Sequence, residues 1–105
     1  MKYFTTSLIA ILALVAPPTC HADQALAQKK VCLSCHGIEK RTAFPAPSFK
    51  EVATKYANQP PAADMLVPKV MKGGTGVWGV MTMPANPQVS ATEAQQLVAW
   101  ILSQK

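Results

Sequence analysis

The apolar positions along the chain change spacing from segment to segment. The first group, Leu8-Ile9-Ala10-Ile11-Leu12-Ala13-Leu14-Val15-Ala16, is unbroken. A nine-residue run cannot cross a bilayer as a helix, which needs about 20 residues. Lys2 precedes the run and Cys20-His21-Ala22 closes it with small residues, so residues 1–22 read as a secretory signal cleaved after Ala22. A retained membrane anchor is the alternative that the short run argues against. A lipidated Cys20 is a minor second alternative, because Pro17-Pro18-Thr19 is a poor lead-in to such a site.

Beyond the signal the pattern is helical and interrupted. Asp23 can cap a first helix running to about residue 34, and Ala25, Leu26, Gln28 and Lys29 suit a helix. Residues 37–48 hold Gly37, Pro45 and Pro47 and read as loop. Ser48 can cap a second helix over residues 49–57, with Phe49, Val52, Ala53 and Tyr56 at helical spacing. Asn58-Gln59-Pro60-Pro61 stops it. A third helical piece lies between residues 62 and 72, and either starts near Pro68 or is kinked there. Gly73-Gly74-Thr75-Gly76 ends it, and residues 77–89, with Gly79, Pro84 and Pro87, read as irregular loop. The last helix has the clearest signature. Ser90-Ala91-Thr92-Glu93 is a capping box. Ala94, Leu97, Val98 and Ile101 then follow at i, i+3, i+4 and i+7 as one buried stripe, flanked by Trp100.

The chain has 105 residues, enough for one domain at most. Large enzymes, multidomain proteins and integral membrane proteins are thereby disfavoured. Of its ten basic residues only Lys2 lies in the signal, so residues 23–105 keep nine against five acids, a net charge of +4. Lys29, Lys30, Lys40, Arg41, Lys50, Lys55, Lys69, Lys72 and Lys105 are in part a solvated face and in part a surface for acidic partners. No nucleic-acid motif occurs, and no Lys-Ser or Lys-Thr follows the glycine-rich turn to make a phosphate loop. So short a domain buries a small core and needs a staple, a metal or a cofactor.

Two cysteines outlast the signal, and their context says which of these is present. Cys32-Leu33-Ser34-Cys35-His36 is Cys-x-x-Cys-His, the attachment motif of c-type haem. Two thiols one helical turn apart can each bond one vinyl group of a porphyrin, and the next histidine is held under the ring to ligate iron. A short-loop disulfide beside an incidental histidine is the bland alternative. Zinc would need a second Cys or His pair, and His21 leaves with the signal. A Met/His axial pair suits an electron carrier, whereas an open position admits small ligands. Met65 and Met71 lie in the third helical piece, where a methionine commonly fills a core. Met81 and Met83 lie in the loop, far along the chain from His36. Their i, i+2 spacing does not separate them, although Pro84 stiffens the backbone beside Met83.

Several motifs in order resemble one family. Cys32-Leu33-Ser34-Cys35-His36, Pro47-Ser48-Phe49-Lys50-Glu51-Val52-Ala53, Gly76-Val77-Trp78-Gly79, Met83-Pro84-Ala85-Asn86 and the ending from Ala94 to Lys105 are similar to bacterial cytochrome c-551, also called cytochrome c8. The resemblance spans nearly all of residues 23–105, which it makes one cytochrome c domain. It implies an all-α class I cytochrome c fold, with helices wrapped around one covalently attached haem c bonded through Cys32 and Cys35. It implies His36 and Met83 as the axial iron ligands, and a Pro47 carbonyl that accepts the other imidazole proton. It implies that Trp78 bonds a haem propionate and that Asn86 steadies the methionine sulfur. Packing alone is the other reading of Trp78.

The chain departs from the family at several positions. Ala46 stands where a glycine is frequent, and Thr82 where a proline is common. A two-residue insertion between His36 and Pro47 leaves Pro45 as the rival carbonyl. Ala27 and Val31 take the places of an aromatic residue and a glycine that face the last helix, so that contact must repack against Leu97, Trp100 and Ile101.

The function expected is a soluble, monomeric, periplasmic one-electron carrier, not an enzyme. Its partners would be respiratory or denitrification redox proteins, such as the dihaem nitrite reductase, with no nucleic acid and no membrane insertion. A peroxidase-like or ligand-binding haem protein is the enzyme rival, but it has no spare distal histidine. A colourless thiol redox module is the non-haem rival.

Overall fold

The structure, a computed structural model, describes residues 24–105. The signal, the lipidation alternative at Cys20 and the Asp23 cap lie outside the described residues. Four α-helices are present among the described residues: α1 (Gln24–Lys29), α2 (Phe49–Tyr56), α3 (Ala62–Lys72) and α4 (Ala91–Leu102). A 3-10 turn at Cys32–Ser34 follows α1. No strand occurs among the described residues, and the only ladder-like contact is an isolated bridge between Gly74 and Met83. No helix among the described residues is long and apolar enough to cross a membrane.

Helix α4 is the centre of the packing and lies against both α2 and α3. Its stripe Ala94, Leu97, Val98 and Ile101 is buried, as its spacing predicts. It meets Phe49, Val52 and Tyr56 of α2, Ala27 of α1 and Val89 of the preceding loop. Leu66, Val67, Val70 and Met71 of α3 pack against that core while staying partly exposed. Both α2 and α4 begin with complete capping boxes, Ser48 with Glu51 and Ser90 with Glu93. Each box satisfies two backbone N–H groups that the first turn would leave unpaired, and losing the cap residue costs about 1 kcal/mol.

One expectation from the pattern needs correction, and one choice that it left open narrows. The first helix does not reach residue 34. It ends at Lys29, and Val31 adopts a left-handed backbone, φ +67°, before the 3-10 turn. The Ser34 hydroxyl takes the Val31 carbonyl at 2.7 Å, so a side-chain bond replaces the helical one. With the chain turned at that point, Val31 stands 62% exposed and does not enter the contact with α4, while Ala27 is fully buried there. Of the two readings of the third helix, a start at Pro68 is excluded. The helix runs continuously through Pro68. The carbonyl four residues earlier, at Asp64, loses a partner, but Asp64 and Pro68 are both exposed, so water can replace the bond.

Candidate haem site

A cavity of about 400 Å³ opens between the Cys32–His36 segment, the residue 37–48 loop, α2, α4 and the loop after α3. Its floor is apolar, with Phe49, Val52, Leu97, Val98 and Ile101 among its lining. Cys32 and Cys35 both line it, and neither is in a disulfide. Burial raises the Cys32 thiol above its ordinary pKa, outweighing a backbone hydrogen bond that lowers it. The thiol is therefore held neutral until it reacts.

His36 lines the same cavity. Its Nδ1 lies 2.7 Å from the Pro47 carbonyl oxygen, across the loop that joins the two residues. A carbonyl can only accept, so Nδ1 carries the proton and Nε2 is left with a free lone pair. Pro47 is buried and Pro45 exposed. Phe49 stacks on the imidazole, with ring centroids 5.2 Å apart and planes 18° from parallel, and Trp100 meets Phe49 edge-on at 5.3 Å. The ring is thus held by one hydrogen bond and one flat contact.

Met81 and Met83 both line the cavity. They differ in anchoring. Met83 exchanges two backbone hydrogen bonds with Gly74, of 2.8 and 3.0 Å, and is partly buried. Met81 is 48% exposed and lies in the span that this bridge closes. Gly73 makes the bridge possible. It has φ +72°, and a Cβ built on it would sit 2.1 Å from the Met83 carbonyl oxygen. Asn86 ties the far side of the loop to the end of α3: its side-chain amide donates to the Val70 carbonyl at 2.7 Å, and its N–H to Met71 at 3.1 Å. Trp78 is partly buried on the cavity wall, with Lys55 Nζ 5.3 Å from its ring centroid.

Sequence reasoning passed over three further contributors. Gly73 was readable only as a helix end. Lys30, its side chain 15% exposed, pairs with Glu93 at 2.9 Å and donates to the Gln88 carbonyl at 2.9 Å. Gln88 in turn donates to the Lys30 carbonyl and to Asn86, each at 3.1 Å, so the methionine loop is laced to the segment before Cys32. No local pattern announces these bonds, because Lys30 and Gln88 are 58 residues apart. Glu51 is different: Ser48-x-x-Glu51 is a capping-box signature that could have been read.

The donor set fits a covalently attached haem. Two free thiols, an imidazole with an available nitrogen and two thioethers share one largely apolar cavity, and soft sulfur with imidazole is a set that iron accepts. Similarity to known proteins points the same way. The family model described as cytochrome c matches residues 22–105. The chain is 45% identical to cytochrome c-551 of Allochromatium vinosum over 90% of this chain and 98% of that one. Its fold superposes on the crystal structure of Nitrosomonas europaea cytochrome c552 with a TM-score of 0.74, at 41% identity, covering 79% of this chain and all of the other. A class 1 cytochrome from Sideroxydans lithotrophicus superposes with a TM-score of 0.62 at 31% identity, over 76% of this chain and 89% of that one. With Cys32 and Cys35 placed for covalent haem c and four helices around their cavity, the chain belongs to the cytochrome c family, as a class I member of the electron-transport cytochromes.

Proposed function

We propose that this cytochrome is an exported, periplasmic one-electron carrier whose haem iron is bound by His36 and Met83. The observation that carries the reading is the shared cavity. Both thiols, the imidazole held by Pro47 and the methionine pinned by Gly74 all line it. The haem supplies a reversible ferrous–ferric couple, and its surroundings set the potential. Within the chain, Cys32 and Cys35 would hold the group covalently, and His36 and Met83 would ligate its iron. Ligation by both would leave no place for a substrate on iron, which argues against an enzyme. Anchoring favours Met83 over Met81 as the ligand, since a ligand works best from a segment whose position is already set. Asn86 holds the methionine loop in place for the sulfur, and Trp78 offers its indole N–H to a haem propionate.

Residues 1–22 serve as the export signal in this reading. The partners are redox proteins with acidic surfaces, for instance a nitrite reductase or another respiratory enzyme. Lys30, Arg41 and Lys50 are neutralised by ion pairs with Glu93, Glu51 and Glu39. Lys29, Lys40, Lys69, Lys72 and Lys105 have no ion pair among the described residues, and they supply the steering charge. A visible spectrum of the purified protein in both redox states, repeated with carbon monoxide and cyanide, tests the reading. A c-type spectrum unmoved by mild ligand addition is expected. A rapid shift on adding either ligand would favour an open distal site instead.

A further inference from the structure

The peptide group between Pro47 and Ser48 is bonded at both ends. Its carbonyl accepts from His36 Nδ1 at 2.7 Å. Its N–H donates to Glu51 Oε2, also at 2.7 Å. Ser48 is fully buried, and its hydroxyl accepts the Glu51 N–H at 3.1 Å, so the peptide is locked in this orientation. On the far side of the carboxylate, Arg41 Nε lies 3.0 Å from each Glu51 oxygen. One row of contacts therefore runs from the Arg41 guanidinium through the Glu51 carboxylate and a single peptide to the imidazole.

A peptide group is conjugated across its C–N bond. An anion at its N–H draws the proton and shifts electron density toward the oxygen, and linked hydrogen bonds strengthen one another by about 10–30% each. A stronger acceptor at Nδ1 makes the imidazole a more basic ligand. A more basic axial ligand favours ferric iron, and outer hydrogen bonding is one of the levers on haem potential. From this we infer that Glu51 is a positioning residue that tunes the haem iron through the Pro47–Ser48 peptide, with Arg41 partly offsetting its charge. The inference rests on His36 being an iron ligand.

Glu51 is also the third residue of the α2 capping box, and that structural role explains the same bonds. Charge separates the two roles. A glutamine completes a capping box as well as a glutamate does, but it brings no anion to the peptide. Glu51→Gln should therefore keep the helical signal and raise the midpoint potential. It should also move the His36 Nδ1 proton resonance upfield. Arg41→Gln, at an exposed residue that caps nothing, should move both the other way, and it serves if Glu51→Gln folds poorly. Glu39→Gln removes an exposed carboxylate bonded only to Lys50. That control should shift the potential through space alone and leave the imidazole signal in place. Unchanged imidazole signals in Glu51→Gln and Arg41→Gln, or equal changes in Glu39→Gln, would overturn the inference. His36 ring protons without the large shifts that bonding to ferric iron gives would instead remove the ligand assignment on which it rests.

Discussion

Val31 is the one non-glycine residue with a left-handed backbone among the described residues. A β-branched side chain is poorly suited to that region, which costs an L-residue roughly 1–2 kcal/mol. The neighbouring geometry explains why the strain persists. Lys30 is held by Glu93 and Gln88, and Ser34 holds the Val31 carbonyl, so residues on both sides fix the turn. Val31→Gly should remove the strain with little packing loss, since the side chain is 62% exposed. Part of the gain is offset by the greater freedom of glycine in the unfolded chain. A net stabilisation of about 0.5–1 kcal/mol is expected, seen as a melting temperature a few degrees higher. A lower melting temperature would show that the valine side chain contributes packing at the cavity mouth that outweighs the backbone strain. Nothing in the local pattern predicts the left-handed turn, because Val31 follows good helix formers and the turn is imposed from outside the segment.

The elements divide by how local their causes are. Helices α2 and α4 were legible from sequence because cap and stripe lie within one dozen residues. Ser48 caps the first, and Ser90, Glu93, Leu97 and Ile101 define the second. Helix α3 was only half legible, because Pro68 opposes a helix locally while packing of Leu66, Val67, Val70 and Met71 on the core sustains it. The loop after α3 was legible as irregular, but its bridge was not, since the Gly74–Met83 pairing is a matter of register across nine positions. Gly73 is the element that fixes this register. Gly73→Ala would force a Cβ against the Met83 carbonyl and put alanine at φ +72°. The backbone at residues 73–74 and 83–84 must then separate. We expect a loss of at least about 1 kcal/mol in stability. A weakened far-red sulfur-to-iron band in the ferric protein should accompany it. A full-strength band in a destabilised variant would mean that the bridge supports the fold but does not position the ligand.

At the scale of the whole molecule, charge and a small core act together. The buried cluster is built largely from α2 and α4, and the chain gathers around a cavity instead of filling it. Cofactor burial then supplies part of the stability that a domain of this size lacks. Paired carboxylates supply another, pH-dependent part. Hydrogen bonding from Arg41, then from the Ser48 backbone, holds the Glu51 carboxyl down to about 2 from its ordinary 4.5. Glu93 is likewise lowered, chiefly by Lys30 and then by the Ser90 backbone. Both anions are favoured in the fold, so the unfolded chain binds protons first as the solution is acidified. The Glu51 contribution is complete above pH 4.5 and is lost as pH falls toward about 2, and the Glu93 contribution is lost in the same direction. A melting temperature that declines over that window is expected, with a shallower decline in Glu51→Gln. A curve that is flat through it would contradict the assignment of these bonds. The Lys30–Glu93 part of this network could not be foreseen from spacing, although the sign of the net charge could.

The reading of the molecule as an electron carrier depends most on which methionine closes the haem iron. The far-red absorption band of ferric iron bonded to a methionine sulfur answers this in one measurement, made on Met83→Ala and Met81→Leu side by side. Met83→Ala should lose the band, admit water or an added ligand, and show a lower reduction potential, because the sulfur favours ferrous iron. Met81→Leu nearly conserves volume and should keep the band. A band that survives in Met83→Ala and disappears in Met81→Leu would reverse the assignment, a band present in both variants would assign the ligand to neither of them, and a band missing from the unaltered protein would contradict the closed His/Met site itself.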